Sequence, residues 1–176
     1  MKRIFPLILI ASLSLFLSSC TEDSWTTGTL DYTFRPQTSS SGYFEAGSVY
    51  YPADISINDY ANSINDFYMV RSVVKITGDF YRGDVIHGLR IDIAGVGKYD
   101  FNDIPIYEDN EYFVLIDSSK DQYFYNFMYN AFDQMKFSGK DDVIVSGFLY
   151  DKNGYTVSGT KVQIEFYNDL DVNVTN

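Results

Sequence analysis

Apolar and polar residues alternate along much of this chain with the two-residue period of a β-strand whose faces meet different surroundings. The alternation is clearest near the C terminus, where Val162, Ile164 and Phe166 stand between Lys161, Gln163 and Glu165 and the pattern continues to Val174. Similar patterning predicts strands at residues 29–34, 70–80, 89–93, 99–107, 111–116 and 143–150. A set of short antiparallel strands is therefore the main structural expectation.

Two of these segments carry a further indication of their place in a sheet. Pro105 lacks a backbone N–H, so residues 99–107 suit an edge strand. Residues 111–116 are apolar on both faces, which favours a central strand.

Helical spacing occurs in two places. Apolar residues recur with this spacing between Ile57 and Tyr68, and Ser56 is a suitable N-cap, so a short helix is predicted there. Residues 122–137 have the same spacing, with almost no polar face, and are predicted to form a second helix. Between the strands, residues 81–84 and 151–154 contain the glycines of hairpin connections, and Asn153-Gly154 favours a type I′ turn.

These elements predict a mainly β fold, either an antiparallel β-sandwich or a partly open barrel with one or two short helices. The first residues stand apart from that pattern. Lys2 and Arg3 precede an apolar run too short to span a bilayer, and Leu17-Ser18-Ser19-Cys20 ends it as a lipobox. We therefore expect residues 1–19 to be a lipoprotein signal peptide, Cys20 to be lipidated, residues 20–26 to be a tether and residues 27–176 to form one β-rich domain.

Charge and cysteine content narrow the possible functions. The formal charge of −11 becomes −13 once Lys2 and Arg3 leave with the signal, and a chain this acidic repels nucleic acid. Cys20 is the sole cysteine, so lipidation leaves no thiol for a disulfide, a nucleophile or a zinc-thiolate site. The predicted domain depends on packing alone.

Glu22 and Asp23 directly follow the lipobox, and this arrangement resembles the surface-export signal of outer-membrane lipoproteins of the Bacteroidota. The body of the chain is similar to small lipoproteins of unknown function from those bacteria, at Ile76-Thr77-Gly78, Gly97-Lys98-Tyr99-Asp100-Phe101, Val145-Ser146-Gly147-Phe148 and Val162-Gln163-Ile164-Glu165-Phe166. The resemblance implies a β-rich domain at the outer membrane, exposed on the cell surface, and supplies no catalytic residues.

A narrower resemblance, to transthyretin-like or carboxypeptidase-regulatory-like β-domains, is carried by Gly147, Asp151, Gly154, Gly159 and Val162. Lys161 departs from that pattern, which usually has a small residue there. The resemblance implies a β-sandwich and no activity.

Aromatic residues make up 18% of the chain, with 16 Tyr and 14 Phe. A β-sheet core with outward-facing tyrosines explains this enrichment, and an exposed aromatic platform for sugar rings or a partner protein is the alternative. The tyrosines proposed for such a platform are Tyr99, Tyr107, Tyr112, Tyr123, Tyr125 and Tyr129.

Catalytic chemistry has little to build on. His87 is the only histidine, and we interpret it as a structural residue of a strand. Carboxylates near predicted turns are numerous, but turns favour such residues for their own geometry: Asp100, Asp103, Glu108, Asp109, Asp141, Asp142 and Asp151. We therefore predict a non-enzymatic protein without a cofactor, leaving one calcium site open at Asp151 and Asn153.

The tripeptide Arg82-Gly83-Asp84 could present its two charged groups to an integrin, but a tight turn selects the same Gly and Asp. We attribute it to the turn. Taken together, the sequence predicts a surface-exposed lipoprotein that binds an extracellular glycan or, alternatively, acts as an adhesin or interaction module for another envelope protein.

Overall fold

The alternating segments form two antiparallel sheets that face each other across one hydrophobic core, and they do not close into a barrel. This confirms the predicted mainly β, sandwich-like fold. The structure is a computed structural model, and it describes residues 23–57 and 63–175. The strands are β1 (Asp23–Thr29), β2 (Tyr32–Phe34), β3 (Tyr43–Tyr50), β4 (Ser56–Ile57), β5 (Ser63–Gly78), β6 (Val85–Ile93), β7 (Gly97–Asp100), β8 (Ile104–Pro105), β9 (Tyr112–Asp117), β10 (Asp141–Tyr150) and β11 (Val162–Thr175).

The larger sheet has the strand order β4-β1-β11-β5-β9, and β2 also pairs with β11. The smaller sheet has the order β3-β10-β6-β7, and β8 pairs with β6. Strand β11 is the axis of the larger sheet, since β5 pairs with it from Val162 to Thr175 while β1 and β2 share its other side.

The core follows from the two-residue period of β11. Its even-numbered residues from Val162 to Val174 are buried against the smaller sheet, and its odd-numbered residues lie on the outer face. Phe166 is at the aromatic centre, with its ring centroid 5.7 Å from Tyr32 and 5.9 Å from Phe34. Burying a side chain of this size contributes about 2–3 kcal/mol.

One α-helix, α1 (Gln122–Ser138), contacts β5 and β10, and it confirms the helix predicted at residues 122–137. Asp121 begins it by accepting a hydrogen bond from the Phe124 backbone N–H at 2.8 Å, and Gly139 ends it in the left-handed conformation. Its buried face consists of Phe124, Met128, Ala131, Phe132 and Met135. A short 3-10 turn at Pro52–Asp54 completes the described elements.

The helix predicted around residues 57–68 is wrong where it can be compared. Ser56 and Ile57 form β4, residues 58–62 lie outside the described part, and residues 63–68 belong to β5. Phe67 and Met69 are buried while Tyr68 and Val70 are exposed, so the segment also satisfies a two-residue period. Pairing with β11 decides between the two periods.

Both predicted hairpins contain the expected turns, but the strands on either side of each turn do not pair as a hairpin. The turn at residues 81–84 leads from β5 in the larger sheet to β6 in the smaller one. The turn at residues 151–154 likewise connects β10 and β11 of different sheets, after a single bridge between Tyr150 and Thr156. It is not type I′, because Asn153 has no positive φ and Gly154 has a φ of +84°.

Strand positions were predicted with mixed success. Strand β9 lies at an edge of the larger sheet rather than at its centre, because within the described part of the chain it pairs only with β5. Pro105 lies in the two-residue strand β8, which among residues 23–57 and 63–175 pairs with β6 alone, as expected for an edge. Residues 23–26, assigned to the tether, form the first half of β1 and pair with β11.

Candidate functional site

The six candidate tyrosines do not form one platform. Tyr99 is partly buried against Phe124 of α1, at 5.1 Å between ring centroids. The exposed ones are scattered over α1 and the segment that includes β9: Tyr107, Tyr112, Tyr123 and Tyr129. Tyr125 packs at the margin of the core and stacks on Tyr129 at 6.1 Å.

Tyr112 is the candidate with the richest surroundings. It is 52% exposed on the outer face of the larger sheet, and its hydroxyl lies 3.4 Å from both Glu165 and the Tyr167 hydroxyl. Lys75 lies beside the same group, with its Nζ 5.5 Å from the Tyr112 ring centroid and 4.4 Å from that of Tyr167. Hydrogen bonds to Tyr112 and then to Glu165 raise the pKa of Tyr167, so the Tyr167 phenol stays neutral at physiological pH.

A pocket of about 600 Å³ continues this surface toward the end of the sheet. It is lined by Arg35, Gln37, Thr77, Gly78, Asp79, Asn110, Lys161, Val162 and Gln163. Strand register explains why these residues from distant parts of the chain lie together. Gln37 is opposite Lys161, and Thr77 is opposite both Gln163 and Tyr112. The distal face is our name for the polar lining of this pocket together with Lys75, Tyr112, Glu165 and Tyr167.

The loop between β8 and β9 closes one side of the pocket. The Asn110 backbone N–H donates to the Phe80 carbonyl at 2.9 Å, and Asn110 has a φ of +52°, a conformation that asparagine tolerates better than most residues. Tyr107 lies exposed in the same loop. The distal face therefore has two of the six candidate tyrosines on it or beside it.

The distal face lies at the end of the larger sheet farthest from Asp23. Asp23 pairs with Thr175 at one end of β11, whereas Gln37 pairs with Lys161 at the other. At about 3.3 Å per residue, the two positions are roughly 45 Å apart along the strand. The distal face is therefore far from the part of the chain that precedes Asp23.

A second aromatic cluster lies at the opposite end. Trp25 stacks on Tyr68 at 5.5 Å and 29°, and the Lys136 ammonium lies 3.5 Å from the Tyr68 ring centroid. Lys136 also forms a 3.0 Å ion pair with Asp66, and a hydrogen bond to Asp66 raises the pKa of Tyr68. Lys136 belongs to α1, and the same helix carries the stacked pair of Tyr125 and Tyr129. We call it the proximal cluster: Trp25, Tyr68, Tyr125 and Tyr129.

A shallower groove of about 330 Å³ beside Tyr99 collects several carboxylates. Each of them has a structural partner: Asp103 lies 2.8 Å from the His87 Nδ1, Asp100 pairs with Arg90, and Asp121 caps α1. Their arrangement serves the ends of strands and the helix.

In the turn proposed to bind calcium, the Asp151 carboxylate is hydrogen-bonded to backbone N–H groups of the same turn. The Asp151 carboxylate accepts hydrogen bonds from the Tyr155 N–H at 2.9 Å and the Asn153 N–H at 2.8 Å, which lower its pKa. Among the described residues, no group of three or more His, Cys, Asp or Glu side chains is arranged to hold a metal ion. Calcium at this turn stays a prediction.

The Arg82-Gly83-Asp84 loop does not present its carboxylate. Asp84 is 4% exposed and accepts a hydrogen bond from the Tyr81 N–H at 2.9 Å. Burial raises the pKa of Asp84, and Gly83 has a φ of +96°. The residues serve the turn.

Asp141 differs from the other turn carboxylates, and the sequence analysis missed this. It begins β10 with 1% exposure, and its Oδ2 accepts a hydrogen bond from the Tyr32 hydroxyl at 3.3 Å. Its Oδ1 has no partner among the described residues. Burial raises the pKa of Asp141 to about 7. Its position directly before an inward-facing alternation was the only available signal.

The predicted signal peptide and Cys20, the predicted site of lipidation, lie outside the described residues. Within residues 23–57 and 63–175, no helix is long and apolar enough to cross a membrane.

No protein-family model matches the sequence, and no curated protein matches it either. A chain in the cryo-EM structure of Mud crab tombus-like virus is similar at a TM-score of 0.44 and 9% identity, over 97% of this chain and 98% of that one. A chain in the cryo-EM structure of T=3 Penaeus vannamei nodavirus is similar at 0.45 and 9% identity, over 90% of this chain and 56% of that one. These values assign no function to the chain.

Proposed function

We propose that this chain is a lipoprotein of the outer-membrane type found in Bacteroidota, anchored through Cys20 and exposed at the cell surface, where it binds extracellular glycans without catalysing a reaction. The observation that carries this proposal is the distal face, which places an exposed Tyr112 ring beside a pocket lined with amide, hydroxyl and charged side chains. Such a mixture of one apolar surface and several fixed polar groups suits a saccharide, whose rings have apolar faces and hydroxyl edges.

The amides of the pocket supply both kinds of hydrogen-bonding group. Gln37, Gln163 and Asn110 each carry a donor and an acceptor, and Thr77 adds a hydroxyl. Sugar hydroxyls need partners of both kinds, because a hydroxyl buried without one costs roughly 1–3 kcal/mol. The pocket offers such partners without a metal ion.

The position of the anchor favours the distal face over the proximal cluster. If Cys20 is attached to a membrane, Trp25 lies only five residues from the lipid, where an indole ring suits the membrane interface. The distal face, about 45 Å away along β11, would project toward the extracellular space. A ligand outside the cell would thus reach Tyr112 more readily than Tyr68.

The decisive experiment measures binding of the purified full-length protein, in detergent, to a panel of host and dietary glycans. We expect saturable binding to at least one glycan, and Tyr112→Ala should weaken it about tenfold. Tyr123→Ala is the matched control, because Tyr123 is 85% exposed on α1 and outside the distal face. A calcium chelator added in parallel tests the turn at Asp151 and Asn153.

Binding to no glycan, or equal losses for the two tyrosine variants, would contradict the proposed function. Cys20→Ser tests the anchor independently: the variant should leave the membrane fraction, and the wild-type protein should be accessible to protease on intact cells. Retention of the variant in the membrane would refute lipidation at this residue.

Strand β9 supports a second candidate function, the binding of another envelope protein. It pairs only with β5 among the described residues, and it exposes Tyr112 and Val114. An edge of this kind can accept a strand from a partner. Val114→Lys should abolish co-purification of such a partner while leaving glycan binding intact. A variant that loses neither co-purification nor glycan binding would refute this candidate function.

A further inference from the structure

Two cations lie together in the pocket of the distal face. Arg35 follows Phe34, whose partner in β11 is Ile164, so Arg35 falls opposite Gln163. Lys161 lies two residues before Gln163, directly ahead of β11, and is opposite Gln37. Such diagonal neighbours in an antiparallel pair have Cα atoms about 7–8 Å apart, within reach of one another's long side chains.

The Arg35 guanidinium is held in place by a chain of hydrogen bonds. Its Nε donates to the Gln163 Oε1 at 3.0 Å, and the Gln163 Nε2 donates to the Glu165 Oε1 at 2.8 Å. This arrangement fixes the orientation of the Gln163 amide and leaves the two terminal nitrogens of Arg35 without a protein partner among the described residues. A guanidinium presented in this way matches the two oxygens of a carboxylate or sulfate.

Lys161 is positioned by its backbone. Its carbonyl accepts the Asp79 N–H at 3.0 Å, while the neighbouring Gln37 side chain donates to the Gly159 carbonyl at 2.8 Å. The Lys161 side chain itself is exposed and joins no ion pair within the described residues.

Some cations of the described residues lie against carboxylates: Arg71, Arg90, Lys98, Lys136 and Lys140. Others form no ion pair there: Arg35, Lys75, Arg82, Lys120, Lys152 and Lys161. Arg35 and Lys161 differ from the rest of this second group because both of them line one pocket. Arg35 and Lys161 have only Asp79 as an acidic neighbour in the pocket lining, and neither forms an ion pair with it. Adjacent like charges repel one another, so an anion placed between them would relieve that repulsion as well as gain two charge-assisted hydrogen bonds.

We infer that Arg35 and Lys161 form an anion subsite, and that the glycan bound by the distal face is an acidic one, bearing a uronic-acid carboxylate or a sulfate ester. The inference rests on the proposed function. The sugar ring lies on the Tyr112 side of the pocket, its anionic group lies between Arg35 and Lys161, and Asp79 accepts hydrogen bonds from hydroxyls nearby.

The test compares an oligogalacturonate, its fully methyl-esterified form and a sulfated oligosaccharide on the full-length protein. Arg35→Gln and Lys161→Gln should each weaken binding of the preferred acidic oligosaccharide about tenfold more than they weaken binding of its esterified form. Lys152→Gln is the control, because it removes an exposed cation from the turn at residues 151–154. Raising the ionic strength should weaken binding of the acidic ligand to the wild-type protein more than to the double variant.

The outcomes separate the subsite from the proposed function. Equal binding of acidic and esterified oligosaccharides, or unchanged binding in both cation variants, would overturn the anion subsite while glycan binding stands. Failure of every glycan to bind would overturn both. Inorganic sulfate tests the subsite without a sugar. At equal ionic strength, sulfate should raise the thermal unfolding midpoint of the wild type and of Lys152→Gln more than that of the Arg35→Gln/Lys161→Gln double variant. Equal rises in all three proteins would count against the subsite.

Discussion

The buried carboxyl of Asp141 makes the stability of the domain depend on pH. Asp141 sits in the core wall beside Tyr32, which is fully buried and stacks on Tyr50 at 4.0 Å. Burial is the main cause that raises its pKa to about 7, the Tyr32 hydrogen bond opposes it, and the nearby Asp142 charge adds to it. In the unfolded chain an aspartate has a pKa of about 3.9.

The sign and size of the effect follow from these two values. Between about pH 4 and pH 7 the folded protein holds a proton that the unfolded chain has released, so the free energy of unfolding falls as the pH rises. The contribution is fully present below about pH 4 and is lost as the pH passes 7. A difference of about three pKa units corresponds to roughly 4 kcal/mol.

Asp141→Asn removes this titration while keeping the shape of the side chain. We expect the variant to resemble the wild type near pH 4 and to exceed its free energy of unfolding by up to roughly 4 kcal/mol near pH 8, less the cost of an amide with an unpaired group. Urea unfolding measured across this range gives the difference curve. Asp171→Asn, an exposed change on β11, should give a nearly flat one.

A flat difference curve for Asp141→Asn would refute the reasoning, because it would show that the carboxyl ionises alike in both states. Direct titration of the Asp141 carboxyl by NMR distinguishes the possible reasons. A midpoint near pH 4 would mean that solvent reaches the carboxylate, whereas a midpoint near 7 with a flat stability curve would point to an equally raised pKa in the unfolded chain.

Two further predictions concern backbone packing and an ion pair, and urea unfolding checks both. Gly78→Ala should destabilise the domain by about 1–3 kcal/mol, because its Cβ would lie 2.5 Å from the Lys161 carbonyl oxygen. The control is Gly47→Ala on the edge strand β3, which meets only ordinary contacts and should change the stability little. Equal effects of the two variants would contradict the argument. Asp117→Ala should lower the free energy of unfolding by about 1 kcal/mol near neutral pH, because the Arg71 guanidinium holds the pKa of the Asp117 carboxyl low. This loss of stability should fade as the pH falls below about 4. A loss that persists in acid would mean that the ion pair is not its cause.

Local periodicity predicted much of the secondary structure. The alternation from Val162 to Val174 identified β11, because side chains on opposite faces of a strand meet core and solvent in turn. The apolar spacing of residues 122–137 identified α1 for the analogous reason. Residues 57–68 failed because a segment with several apolar and aromatic side chains fits both periods, and only the long pairing with β11 selects the strand.

Turn chemistry specified the bends but not the sheets that they connect. Asp84 and Gly154 stand where tight turns need them, yet each turn joins strands of different sheets. A turn fixes only the local direction of the chain, whereas the sheet to which a strand belongs depends on partners far away in sequence. For the same reason the apolar segment of β9 was misplaced at the centre of a sheet.

The sequence alone determined the two-residue period of strands such as β10 and β11, the acidic charge, and the number and positions of the tyrosines. Only the tertiary structure decided which of them gain polar neighbours, because the Arg35–Gln163 hydrogen bond joins residues 128 positions apart and Tyr112 meets Glu165 across two strand pairings. Register also decided that Asp141 is buried while Asp142 beside it is half exposed. Local sequence sets which faces a strand can have, and long-range pairing sets what those faces meet.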